Sequence, residues 1–170
     1  MSKKIEIIRE GITEKYDGIA PIANFIFNET NQKMYGKYEE DHILNLQLSI
    51  IKDGLKNPIV VYSDGKTLKS GHNRLSALLK AGIKEVPYII SNEAKPQSEM
   101  QEMISLAIEN MGRPANVGRS YYSVKKMCEI FSKENSGFEP KVDEIRAFCS
   151  YHQISYDSFT KIKKIEINRN

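Results

Sequence analysis

The chain has 170 residues, 40% of them hydrophobic and 28% charged, with a net charge of +3. That balance is normal for a globular protein and argues against global disorder, but the charge is too small to establish a nucleic-acid partner by itself. No apolar run approaches the ~20 residues that span a bilayer, and Glu6, Arg9, Glu10 and Glu14 interrupt the N-terminal stretch, so neither a membrane span nor a secretory signal is expected and the cytoplasm is the expected compartment.

Residues 1–20 are weakly patterned and read as an irregular arm or an edge strand. Pro21 to Phe27 reads as a short extended segment, and Asn31 to Gly36 as a polar loop. From Glu39 to Asp53 the apolar residues Ile43, Leu46, Leu48, Ile50 and Ile51 recur near helical spacing, and Gly54 stops the helix. Pro58 to Tyr62 is a short strand, Ser63-Asp64-Gly65 a hairpin turn, and Lys66 to Lys69 the returning strand. A helix over Arg74 to Ala81 is closed by Gly82. Glu85 to Ile90 is a further strand, and its internal Pro87 predicts an edge or a strand start. Ser98 to Met111 is helical, and Gly112-Arg113-Pro114 breaks it. Helices are expected at about 117–134, 141–152 and 155–167, so an α/β half, 1–114, precedes an all-α half, 115–170. Cys128 and Cys149 fall on apolar helical positions without zinc-type spacing, as buried free thiols do.

Two stretches carry chemistry. Ser70-Gly71-His72-Asn73-Arg74 runs from a strand end through a glycine into a helix start. Free N–H groups at a helix N-terminus bind anions, and an arginine can add a bidentate fork on a phosphate. A plain glycine turn with a surface arginine is the competing reading. His72 can donate to a phosphate or carry a proton near neutral pH, or it can simply cap the helix. His42 and His152 lie on expected helices with no partner pattern and read as surface or packing residues. Glu109-Asn110-Met111-Gly112-Arg113 pairs two oxygen donors suited to Mg²⁺ with a further arginine, against the competing reading of a polar helix C-terminus.

In this order the segments resemble the N-terminal domain of ParB partition proteins, within the ParB/sulfiredoxin superfamily. Ile50 to Val61 is similar to that family's first box, Gly71 to Pro87 to its second and Glu109 to Arg113 to its third. The resemblance implies an α+β fold, a small mixed-sheet domain followed by an all-α segment. It implies a nucleoside triphosphate, CTP by preference, with Mg²⁺. Gly71, His72, Asn73, Arg74 and Arg113 would then bind the nucleotide, Glu109 and Asn110 the metal, and Glu109 would support a weak CTPase activity. DNA, the nucleotide and a second copy of the chain are the implied partners. The family usually has Gly-Glu-Arg-Arg where this chain has Gly71-His72-Asn73-Arg74, so one arginine is lost. No cysteine stands at the sulfiredoxin position, which argues against that activity.

In the helical half, Val142 to Cys149 and Ser155 to Ile162 read as helix, turn, helix, with Ser155 as N-cap. Ile145, Phe148 and Cys149 would pack against Phe159 and Ile162. The second helix would present Tyr156, Ser158, Lys161 and Lys164 to DNA, as in a helix-turn-helix. The basic stretch 160–170, with Lys161, Lys163, Lys164 and Arg169 against Glu166, agrees with phosphate contacts and equally with a solvated face. An ordinary αα-hairpin, a metal-dependent ParB-like nuclease and an inactive interaction module remain the competing readings of these features.

Overall fold

The computed structural model describes residues 15–35, 40–111 and 116–168. It divides into two units, Met1–Glu29 with Lys37–Lys95, and Thr30–Gly36 with Pro96–Asn170. The division falls at Lys95/Pro96, ahead of the expected boundary at 114, because the helix Glu99–Asn110 buries Met103 and Leu106 in the core of the second unit.

The first unit is built on four strands, β1 (Gly18–Pro21), β2 (Ile59–Val61), β3 (Leu68–Ser70) and β4 (Glu85–Ile90), in the order β1-β4-β2-β3. β4 pairs antiparallel with β1 and parallel with β2, and β2 pairs antiparallel with β3. Pro87 therefore lies in an internal strand and not at an edge. The sheet tolerates it because pairing with β2 begins only at Tyr88, after the residue that has no N–H. The hairpin between β2 and β3 is held by Asp64. Its carboxylate accepts from the Lys66 and Thr67 amides, both at 2.8 Å, and from the Thr67 hydroxyl. Burial pushes the Asp64 pKa up, but these hydrogen bonds outweigh it and hold the carboxyl below its ordinary value.

The segment expected to be extended from Pro21 is instead a 3₁₀ turn at Ile22–Asn24. The strand precedes it, and Ile26 then forms an isolated parallel bridge to Thr67 on the outer side of β3. The Ile26 amide donates to the Lys66 carbonyl, and the Leu68 amide to the Ile26 carbonyl.

Seven α-helices complete the described residues: α1 (Glu29–Tyr35), α2 (Glu40–Asp53), α3 (His72–Lys80), α4 (Glu99–Asn110), α5 (Val117–Glu134), α6 (Val142–Tyr151) and α7 (Tyr156–Ile167). In the first unit α2 and α3 pack together, and Ile43, Ile50, Leu75 and Leu78 join Ile59, Val61, Leu68 and Val86 in one apolar core. α3 ends in a Schellman motif. Gly82 takes φ 68°, its amide donates to Leu79 and the Ile83 amide reaches back to Leu78, while Ile83 is buried.

The second unit joins α1, α4, α5, α6 and α7 around Met34, Met103, Leu106, Val124, Met127, Phe148, Cys149 and Phe159. Residues 31–35, which read in sequence as part of a polar loop, are helical. Met34 is buried, and tertiary contacts hold the rest of the helix. The Thr30 hydroxyl donates to buried Glu102 at 2.6 Å, Lys33 pairs with Glu99 at 2.9 Å, and the Ser123 hydroxyl donates to the Met34 carbonyl. Cys149 is buried and Cys128 half-buried, both as free thiols that burial pushes up to about 11.

Candidate nucleotide site and nucleic-acid interface

β3 ends where Ser70 pairs with Val60, and the chain leaves the sheet at Gly71. Gly71 is the N-cap of α3 with φ 100° and ψ 20°. A side chain there would be strained by that φ, and its Cβ would stand 3.1 Å from a methyl of Ile59. The glycine is therefore required twice, by conformation and by close approach. The first N–H groups of α3 have no acceptor within the helix, and the helix dipole adds positive potential at the same end.

His72 is 5% exposed, and burial lowers its pKa to about 4, so the imidazole is neutral at pH 7. The N-cap position belongs to Gly71 and no side chain caps it, so His72 does not cap the helix. Its ring stands 6.2 Å from Phe27, centroid to centroid. Its Nε2 and the Oδ1 of Asn73 are buried without a hydrogen-bond partner among the described residues. Leaving such atoms unpaired costs about 1–3 kcal/mol each, so this turn is suited to a polar ligand. Arg74 is half-buried, and its Nη1 donates to the Asn57 carbonyl at 2.8 Å and to the Pro58 carbonyl. The segments expected as the first and second boxes thus meet through this side chain.

Glu109 is exposed in the last turn of α4, and Asn110 is half-buried. The Asn110 amide nitrogen donates to the Leu106 carbonyl at 2.7 Å. A carboxylate beside an amide oxygen is a donor set that fits a hard cation sharing its remaining positions with phosphate and water. Among the described residues no group of three or more His, Cys, Asp and Glu side chains is arranged to hold a metal by itself. Arg113 lies outside the described residues. Glu109 and Asn110 belong to the second unit, Gly71 to Arg74 to the first.

In the second unit α6 and α7 are joined by a three-residue turn plus the N-cap Ser155. The expected helix-turn-helix connection usually contains a glycine; here Gln153 takes the left-handed conformation, φ 54°. The Gln153 amide donates to Ser150 and the Ile154 amide to Cys149, a Schellman motif with Ile154 plugged into the core. Ser155 caps α7, its hydroxyl accepting from the Ser158 amide at 3.0 Å, as its position before the apolar run indicates. Phe159 is buried and Ile162 half-buried, and both join the Phe148, Cys149 and Ile145 cluster.

The outer face of α7 presents Asp157, Lys161 and Lys164, all exposed, with Lys163 beside them. Tyr156 and Ser158 turn further inward than expected. Tyr156 is half-buried at the edge of the core, and the Ser155 hydroxyl donates to that of Ser158 at 2.8 Å. Sequence reading missed Arg146, whose guanidinium carbon lies 5.3 Å from the Tyr156 ring centroid at the start of α7. No periodicity links two residues across a turn, so nothing in the sequence marked it. His152 is buried against Met127, with Nε2 3.3 Å from the sulfur, and burial lowers its pKa to about 4. The far end of α7 is held by Glu166, which accepts from the Tyr121 hydroxyl at 2.6 Å and from Lys125 at 2.8 Å.

No helix among the described residues is long and apolar enough to cross a membrane. No family model matches the chain, and no curated protein matches it by sequence. Two solved structures resemble it over 73% of its length. One is the C2221 form of a pNOB8-like ParB N-domain, at 18% identity and a TM-score of 0.53. The other is a pNOB8-like ParB N-domain at 17% identity and a TM-score of 0.51. The chain covers 49% and 46% of those chains, about half their length. At such identities the likeness is one of fold, and the α+β architecture of this chain is that of a ParB-like N-terminal domain.

Proposed function

We propose that this chain is a ParB-like partition protein that binds a nucleoside triphosphate, CTP by preference, with Mg²⁺, and contacts DNA through α7. The observation that carries the nucleotide half is the turn at Gly71. It is a strand-to-helix turn in a conformation only glycine adopts easily, opening a helix N-terminus with two buried polar atoms beside it that have no partner among the described residues. The N–H groups of the first turn of α3 hold phosphate oxygens, and neutral His72 and Asn73 supply a donor and an acceptor. Glu109 and Asn110 would hold the magnesium ion, which when bound neutralises charge on the phosphates. Glu109, exposed in the last turn of α4, would orient a water for hydrolysis, and Arg113 would add a guanidinium to the phosphates.

The DNA half is supported by the capped α6–α7 pair and by the exposed Lys161 and Lys164 on its second helix. Thermal unfolding with each of the four ribonucleoside triphosphates, with and without Mg²⁺, tests the reading. A ligand at a hundred times its Kd stabilises by about 2.7 kcal/mol, a shift of several degrees. CTP with Mg²⁺ is expected to give the largest shift. No shift with any nucleotide refutes the nucleotide half, and metal-dependent cleavage of DNA would replace it with a nuclease.

A further inference from the structure

We propose that Arg74 is a positioning residue. Its guanidinium shapes the phosphate-facing turn by pinning the Asn57–Pro58 backbone, and it is not itself a phosphate ligand. The proposal rests on the nucleotide reading above.

The turn lies where a ladder ends. β2 and β3 pair as far as Val60 and Ser70. Beyond that point Pro58 has no N–H, and Gly71 turns the opposite chain away into α3. The β2–β3 pairing thus stops short of residues 57 and 58. Nη1 of Arg74 donates to both of their carbonyls. Hydrogen bonds from a charged donor are stronger than neutral ones, and the planar guanidinium can reach two successive carbonyls from one nitrogen.

The side chain is also fixed from below. A Cβ on Gly71 would stand 3.3 Å from Nη2 and 3.4 Å from Cζ of Arg74, so the guanidinium lies over the Gly71 α-carbon. Gly71, Arg74, Ile59 and the Asn57–Pro58 carbonyls therefore interlock. The arginine orients the first turn of α3, and the backbone N–H groups of that turn meet the anion. Nη1 gives its N–H groups to these two carbonyls, so a phosphate that drew the guanidinium away would release the Asn57–Pro58 backbone. The loss of one arginine from this stretch, relative to the family pattern, then leaves the phosphates to backbone donors and to residues other than Arg74.

The test compares wild type with Arg74→Ala and Arg74→Lys, the latter keeping the charge in case the former folds poorly. Hydrogen exchange on the nucleotide-free proteins should be at least about tenfold faster at residues 59–61 and 72–76 in both variants. Exchange at the β1–β4 ladder should be unchanged, which separates a local staple from general destabilisation. Affinity for CTP with Mg²⁺ should fall by the same factor in both variants, because a lysine keeps the charge but has no planar fork to hold the two carbonyls. Affinity kept by Arg74→Lys but lost by Arg74→Ala overturns the proposal, whatever exchange shows, because a direct phosphate ligand is partly replaced by another cation and a two-carbonyl staple is not. Unchanged local exchange overturns it as well. If the wild type binds no nucleotide, the functional reading fails, and the exchange measurement alone decides whether Arg74 holds the turn.

Discussion

Acid should destabilise this protein through two histidines before its carboxylates titrate. His72 and His152 both have pKa values near 4 in the folded chain, lowered from 6.5 by burial. The unfolded chain therefore binds protons that the folded chain refuses. Their contribution is fully present above about pH 6.5 and is lost as the pH falls from there towards 4. At pH 5 an unfolded histidine is almost wholly protonated and a folded one is still mostly neutral, which makes the loss about 2 kcal/mol per histidine relative to pH 7. Urea unfolding followed by circular dichroism at pH 7 and pH 5 gives the drop for wild type. His72→Leu and His152→Leu should each reduce that drop by about 2 kcal/mol. Carboxylate contributions are common to all three proteins and cancel in the difference. His72→Leu should also cost little at pH 7, since Nε2 has no partner among the described residues. If His72→Leu keeps the full wild-type drop, the imidazole is not buried as described, and its place beside the phosphate turn falls with it.

Gly71→Ala should destabilise the fold by about 1–2 kcal/mol from backbone strain, read as a lower urea midpoint, and should weaken nucleotide binding further by displacing the first turn of α3. Glu109→Ala should abolish any Mg²⁺-dependent hydrolysis, measured by phosphate release, while changing stability by less than about 0.5 kcal/mol, because the side chain is exposed. Replacing Lys161 and Lys164 by alanine should weaken DNA binding and reduce the slope of log K against log salt by about two, one for each phosphate no longer neutralised. Gln153→Gly should raise the thermal midpoint, by relieving a positive φ worth up to about 1 kcal/mol after the entropy of the added glycine.

Punctuated segments were the legible ones. Gly82 after an apolar period and Ser155 before one marked the ends of α3 and α7, because caps act through their own few residues. The inward face of α7 was readable from Phe159 and Ile162 for the same local reason. α1 was not readable, since a heptapeptide with one buried methionine forms a helix only against Glu99, Glu102 and Ser123, some 66 to 89 residues away. Pro87 misled because a proline forbids only the bond on its own N–H, and which neighbour asks for that bond is a matter of topology. At the nucleotide turn the residue types were legible but not their tasks. Arg74 reads as a phosphate fork in any sequence. That its Nη1 is occupied by Asn57 and Pro58 depends on where a ladder ends.

The bridge formed by Ile26 alters how the sheet meets other chains. An exposed strand edge is a template on which any extended segment can polymerise. On the β3 side, Ile26 already fills the positions at Lys66 and Leu68 that an incoming strand would take. At the other edge β1 is four residues long and ends on Pro21, which has no N–H to offer. The sheet is thus closed to strand addition on one side and blunted on the other. Weakening the Ile26 bridge, by inserting a residue between Phe25 and Ile26, would convert a quiet domain into one prone to cross-β aggregation.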